Sequence, residues 1–439
     1  MTTVGLISLG CSKNKVDAEV MLSALVEGGF SPVTDPAEAE VIIVNTCGFI
    51  DAAKQESVNA ILEMADYKEI GRCRVLAVSG CLSGRYGREL AAEMPEVDVW
   101  MGVSQYPRAA ALLTRALGGE RIFECARDDS VVGGGSRILT TAPWQAYLKI
   151  AEGCDNCCSY CAIPAIRGPY RSRSLESLTA EAETLAAQGV KELILVAQDT
   201  TRYGTDLYGR PMLTVLLERL HALPFTWLRV LYCYPEMVDD ALLDTFVRLS
   251  KLCPYLDIPL QHSEDRELYA MNRRTNGEEI RWLMEKIRRL PREMTLRTTL
   301  ICGFPGETEE AAAAMRRFIR EEPFDNLGAF AFSAEEGTVA AELPGQLPEE
   351  EKGRRLDALM RAQQPIALER NQRHVGKPCT VLLEELLPDG RWQGRTTFQA
   401  PLVDGITKVS GITGYGAGQF VQVRITAADT YDLEGVYTP

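Results

Sequence analysis

Short apolar runs alternate with longer amphipathic stretches along the first 120 positions. TVGLISL, VIIVNT, RVLAVSG and VDVWMG each precede a helix-like segment, the rhythm of parallel strands covered by helices. This predicts a doubly wound parallel sheet over residues 1–120. Three consecutive glycines within VVGGGSR, Val131 to Arg137, interrupt the pattern and mark a boundary. From Gln145 to about Ser333 the alternation resumes six times, through QAYLKIA, ELILVA, WLRVLYC, LDIPL, TLRTTLI and NLGAFAF, which predicts a partial (βα)6 barrel. A charged helical connector from Glu349 to about Arg373 leads to five short β-type runs, CTVLLEEL, WQGRTTFQA, TKVSGI, QFVQVRIT and LEGVYT. They predict a small closed all-β barrel of the oligonucleotide-binding kind. The expected organisation is an α/β chain of three domains, at 1–120, 138–372 with the connector, and 373–439.

A length of 439 residues suits several domains, at roughly 100 to 200 residues each. With 46% hydrophobic and 25% charged residues, the chain can bury a substantial core. No run approaches the ~18 uncharged apolar residues of a membrane span, and no basic region precedes the first apolar run, so a cytoplasmic protein is expected. Thirteen cysteines in a long enzyme-like sequence point to metal binding or catalysis rather than to disulfides. The net charge of -14 argues against a broad grip on nucleic acid and suits a basic protein partner. Acidity that serves solubility alone gives the same figure.

The densest chemical signal is GCDNCCSYC, Gly153 to Cys161, just after the first strand of the middle domain. Cys154, Cys158 and Cys161 read as CxxxCxxC. A four-iron cluster normally takes four thiolates, so three ligands leave one iron open. The extra Cys157 allows a second set, Cys154, Cys157 and Cys161; we favour Cys158 and read Cys157 as a bystander. A zinc site would need a fourth ligand that the neighbourhood lacks. A second constellation is distributed: Cys11, Cys47 and Cys81 each follow a strand of the N-terminal sheet, at the edge where open α/β sheets collect ligands. Taken singly, each is a small buried hydrophobe; three at equivalent positions point to a second cluster with an open iron. Cys73, Cys125, Cys233, Cys253, Cys302 and Cys379 lack such an arrangement.

The cysteine spacing, with Tyr160 just before the last cysteine and a partial βα barrel around the loop, resembles the radical S-adenosylmethionine enzymes. The resemblance implies that Cys154, Cys158 and Cys161 hold a [4Fe-4S] cluster whose open iron takes the amino and carboxylate end of S-adenosylmethionine. Tyr160 then packs against the adenine, or else shields the cluster as a loop tyrosine. Two open-site clusters followed by a small β-barrel resemble, over nearly the whole chain, the methylthiotransferase family, whose barrel is TRAM-like. Gly303 to Glu307, GFPGE, and Gln198 in QDTTRYG fall where that family places its cofactor. Gly303, Glu307, Gln198 and Tyr160 are accordingly the candidate cofactor contacts, a strand-to-helix turn and helix capping by Asp199 or Thr200 being the structural alternatives. Arg167, Arg171 and Arg173 read either as a carboxylate clamp or as a solvated basic loop. His262 is suited to proton transfer or to a structural role. No catalytic side chain is singled out.

Members of the family act on an adenosine of transfer RNA or on the β-carbon of an aspartate in small-subunit ribosomal protein twelve. QDTTRYGTDLYG, YCYPE, LDIPLQH and FSAEEGT resemble the branch that modifies the ribosomal protein. Residues 376–439 carry five basic and seven acidic side chains, net -2, which suits a cationic protein better than RNA. The barrel also reads as a structural cap. The resemblance implies two [4Fe-4S] clusters, S-adenosylmethionine and an electron donor such as flavodoxin or ferredoxin, while the acidic balance leads us to expect little direct affinity for nucleic acid. From a different class, an iron-sulfur carrier or redox-binding module would use the same cysteines without turnover.

Overall fold

The computed structural model describes residues 1–439. The first domain is a parallel sheet of β1 (Thr2–Ser8), β2 (Phe30–Val33), β3 (Val41–Thr46), β4 (Val75–Gly80), β5 (Val99–Met101) and β6 (Ile122–Glu124), in the order β2-β1-β3-β4-β5-β6. Strands β3 and β4 are buried throughout, as their unbroken apolar runs require when helices cover both faces. Alternate residues serve opposite cores: Val41, Ile43, Val75 and Ala77 face one way, and Ile42, Val44, Leu76 and Val78 the other. Two of the six strands escape the sequence pattern. FSPV carries a proline that suits only an edge, and IFE, at Ile122–Glu124, pairs with β5 and extends the sheet beyond residue 120.

The middle domain is an open arc of six parallel strands. β7 (Gln145–Lys149), β10 (Glu192–Val196) and β11 (Trp227–Val230) form one half; β12 (Tyr255–Asp257), β13 (Thr295–Cys302) and β14 (Asn326–Ala331) form the other. A two-stranded ribbon, β8 (Ala151–Glu152) with β9 (Arg171–Ser172), brackets the cysteine loop. The concave side of the arc is filled from both neighbours: Tyr147, Ile194, Trp227 and Tyr255 pack with Val16 of the first domain and with Leu382 and Ala400 of the last. The helix Glu349–Gln372 leads to β15 (Pro378–Leu386), β16 (Trp392–Arg395), β17 (Thr407–Ser410), β18 (Phe420–Ala428) and β19 (Leu433–Tyr437), closed as a barrel in the order β15-β16-β17-β19-β18.

Buried ion pairs fasten the domains together. Arg395 of the barrel and Arg229 of β11 both reach Glu192, at 2.6 and 2.9 Å. Asp404 accepts from Tyr255 and Arg297, at 2.6 and 2.9 Å. The glycine-rich connector is not a free linker, because Arg137 reaches Glu19 of the first domain at 3.5 Å and Glu181 of the second at 3.3 Å. No helix is long and apolar enough to cross a membrane.

Candidate functional site

The N-terminal sheet order places its crossover between β1 and β3, where doubly wound sheets open a crevice at their carboxyl edge. Cys11 follows β1 and precedes the helix Ser12–Glu27; Cys47 follows β3; Cys81 opens the helix Cys81–Glu93 after β4. Glycine makes their approach possible. Gly10 has φ +85°, and a Cβ there would stand 2.8 Å from the Cβ of Cys47. Asn14 donates to the Leu9 and Thr46 carbonyls at 2.8 and 3.2 Å, and the Ser57 hydroxyl binds both peptide groups of Cys47. These bonds hold the Cys11 and Cys47 loops in register.

The thiols differ in acidity. Burial pushes Cys81 up to about 11, against the pull of Arg167. Burial also raises Cys47. Cys11 is exposed at the surface; crowding by its neighbours raises its thiol too, but the Lys13 and Arg167 cations and the amides of Asn14 and Lys13 outweigh that, and this thiol lies below its ordinary value.

The second triad stands across the interface. Cys154 and Cys158 are buried and Cys161 is half-buried, whereas Cys157 is exposed with φ +51° and its carbonyl held by Asn272 at 2.8 Å. Burial raises Cys154 to about 11 and Cys161 to about 12. Cys158 lies 3.9 Å from the Tyr234 hydroxyl and 3.8 Å from Arg273. No three His, Cys, Asp or Glu side chains stand close enough to hold a single metal ion. A zinc site would need all its thiolates about 2.3 Å from one atom; a cube spreads three ligands over three irons.

Between the triads lies a dry knot of charge. Arg167 reaches Asp17 at 2.9 Å, Glu152 at 3.0 Å and the Cys81 sulfur at 3.5 Å, while Lys149 bonds Asp17 and, at 2.7 Å, Glu152. Burial alone would raise Glu152, but Arg167 and Lys149 hold its carboxyl well below the usual range. The short helix Ile163–Arg167 after the cysteine loop packs Ala162 and Ile166 against Cys81. Lys13 lies 3.7 Å over the Tyr232 ring, joining the two domains at the same place.

The sequence candidates divide. Tyr160 packs beside Phe304 and Phe332. Gln198 donates to Glu152 at 3.3 Å, and its carbonyl oxygen is buried without a partner. Gly303 has φ +74°, as a tight turn requires. Glu307 accepts from the Gly303 amide at 3.0 Å and from Arg355 at 2.7 Å, and lies 3.4 Å from His262, so its carboxylate shapes the turn. His262, fully buried, accepts from the Glu264 amide at 3.1 Å. The arginine cluster does bind carboxylates, those of this chain: Arg167 as above, Arg171 with Asp129 at 2.9 Å and Arg173 with Glu181 at 2.6 Å. Arg167 and Arg173 are buried rather than solvated.

Sequence reasoning missed Arg273, Glu236, Lys13, Asp17, Lys149 and Glu152. A lysine inside the otherwise apolar strand QAYLKIA was the available signal for Lys149. Arg273 Nε, Glu236 Oε2, Thr275 Oγ1 and Gln198 Oε1 are buried at the barrel mouth without hydrogen-bond partners. Unpaired buried polar atoms are costly, and this set matches a zwitterionic amino acid: Arg273 for a carboxylate, Glu236 for an amine.

A loop of four cysteines, with Cys158 beside Arg273 and Tyr234, at the mouth of a (βα)6 arc lined with unpaired polar atoms has the form of a radical S-adenosylmethionine enzyme. Residues 148–319 match the radical SAM superfamily, residues 3–102 the uncharacterized protein family UPF0004 and residues 375–437 the TRAM domain. The chain is 48% identical to the ribosomal protein uS12 methylthiotransferase RimO of Pelotomaculum thermopropionicum and 47% identical to that of Lachnoclostridium phytofermentans, with 98% of each chain covered. It belongs to the RimO family of methylthiotransferases. That membership implies a [4Fe-4S] cluster and S-adenosylmethionine. In fold it is similar to the radical S-adenosylmethionine methyltransferase TsrM of Kitasatospora setae, with a TM-score of 0.56 at 16% identity over 75% of this chain and 73% of that one.

Proposed function

We propose that the chain adds a methylthio group to the β-carbon of an aspartate in small-subunit ribosomal protein uS12. The observation that carries this reading is the contact of Arg167, just beyond the cysteine loop, with Cys81 of the N-terminal sheet, in a chain whose relatives bear the activity in their names. When bound, a [4Fe-4S] cluster with S-adenosylmethionine supplies a deoxyadenosyl radical able to take an unactivated hydrogen. We assign Cys154, Cys158 and Cys161 as the residues that would hold that cluster, and Cys11, Cys47 and Cys81 as those that would hold a second [4Fe-4S] cluster, which would supply the sulfur chemistry.

The chain's own residues do the rest. Arg273 and Glu236 orient the amino-acid end of the cofactor, Tyr160 and Gln198 border it, and the turn from Gly303 to Glu307 shapes the wall behind it. Arg167, Asp17, Lys149 and Glu152 set the separation of the two sites and exclude water between them. An electron donor such as flavodoxin or ferredoxin completes the system, and a ribosomal substrate places the work in the cytoplasm.

The barrel's acidity enters this reading only weakly. Glu384, Asp389, Asp404, Asp432 and Glu434 all pair with cations of this chain, so no free acidic face remains at those positions. Mass analysis of uS12 from cells with and without the gene tests the proposal. One methylthio group on aspartate is the expected gain; an unchanged uS12 beside a methylthiolated transfer RNA would overturn it. Replacing Cys11, Cys47 and Cys81 by Ala should lower iron from about eight to about four per chain, keep deoxyadenosine formation and abolish sulfur insertion.

A further inference from the structure

We propose that the open edge of β14 receives the substrate polypeptide as an added strand that leads its target residue to the barrel mouth. This deepens the proposed function and rests on it.

Strand β14 pairs only with β13. No peptide group of Asn326–Ala331 makes a hydrogen bond outside that pairing, so alternate amides and carbonyls along the far side are unpaired. Five of its residues are half-exposed, and Phe330 is 54% exposed. Edge strands are normally blunted by lysine, proline or a bulge because such a row templates another chain. The sequence NLGAFA contains no charge and no proline, and its pairing with β13 runs without a register shift.

Both ends of this edge lead somewhere. Beyond Ala331, Phe332 packs edge-on against Phe304 at 5.3 Å, in the cluster that Tyr160 joins beside the cysteine loop. Before Leu327 the edge opens on a cavity of about 350 Å³ bounded by Asn326, Gln363, Val403 and Tyr431. Gln363 is 1% exposed, and its carbonyl oxygen has no partner.

The row selects the class of occupant. A polypeptide presents alternating donors and acceptors at about 3.3 Å per residue, the spacing of the edge itself. Nucleic acid would present phosphates, and β14 has no cation to meet them. Six residues span roughly 20 Å, so a target residue at the mouth leaves about five residues of the substrate on one side lying along β14.

The test uses the full chain with its clusters and S-adenosylmethionine bound. Hydrogen exchange is followed with and without purified uS12, and synthetic uS12 segments carrying the target aspartate are N-methylated one residue at a time. Protection of the amides in Asn326–Ala331 is expected. Loss of affinity should recur at every second N-methylated position on one side of the aspartate, roughly fivefold for each lost hydrogen bond. If uS12 gains its methylthio group while these amides exchange unchanged, or the N-methyl scan shows no alternation, edge docking is wrong and the assigned activity stands. If uS12 neither binds nor is modified, both readings fall.

Discussion

The Arg167 guanidinium lies 3.5 Å from the sulfur of Cys81, so a cation from the radical SAM domain is set against a thiol from the N-terminal sheet. The same side chain bonds Asp17 and Glu152, which makes one residue a meeting point of the two domains. Removing one partner from a buried ionic cluster leaves uncompensated charge, at a cost of about 3–5 kcal/mol. Arg167→Met should therefore destabilise the metal-free chain by that order in urea unfolding and speed hydrogen exchange in the helix Ser12–Glu27. A change within 0.5 kcal/mol would show the cluster to be incidental.

The low folded-state pKa of Glu152 fixes the sign of the acid response. Stability from this carboxylate is complete above its unfolded value, near 4.3, and is lost as pH falls toward the lower folded value. Urea midpoints measured from pH 6 to pH 3 should hold level and then fall. In Arg167→Met, with one of the two cations gone, the folded value lies closer to the unfolded one, so the fall should be shallower and level off at a higher pH.

Arg273 and Glu236 should govern cofactor binding. Arg273→Met and Glu236→Gln each remove a charge from a mouth where unpaired polar atoms await a zwitterion. Each is expected to weaken S-adenosylmethionine binding at least tenfold by calorimetry, about 1.4 kcal/mol, while leaving the iron content unchanged. Unaltered affinity in both variants would move the amino-acid end elsewhere.

Thiol chemistry should follow exposure and acidity. In the metal-free chain at pH 7.5, iodoacetamide should label the exposed Cys11 and Cys157 ahead of Cys81, Cys154 and Cys161, whose burial pushes them to about 11, 11 and 12. Peptide mapping over time gives the order. Once the chain is reconstituted with iron and sulfide, Cys157 alone of the loop should still react, and Cys157→Ser should keep its cleavage of S-adenosylmethionine where Cys158→Ser loses it.

The seam with the C-terminal barrel makes a separate prediction. Arg395→Met leaves Glu192 with Arg229 as its remaining ionic partner in the interior of the arc. The barrel should then loosen, and limited proteolysis should cut near residues 373–377 faster than in the parent chain.

Much of this architecture was legible because periodicity reports burial. VIIVNT and RVLAVSG could only be strands covered on both faces, and the cysteines at their ends followed from that. Strands of three or four residues, FSPV and IFE, are too short to show a period. The knot of Arg167, Asp17, Lys149 and Glu152 was illegible for another reason: Arg167 and Asp17 are 150 positions apart, and no local pattern announces that two domains will bury one another's charges. The unpaired atoms of Arg273 and Glu236 were hidden likewise, since an orphaned hydrogen bond is a property of the packed interior alone.

The reach of Arg167 to Cys81 also has a consequence in time. The two residues are 86 positions apart, and chains grow at about 5–20 residues per second. The ribosome therefore releases the last of the three N-terminal thiols roughly 4–17 seconds before the arginine that covers it. For that interval the nascent sheet presents its cysteines uncapped, and oxygen or a metal ion can reach them before the second domain exists.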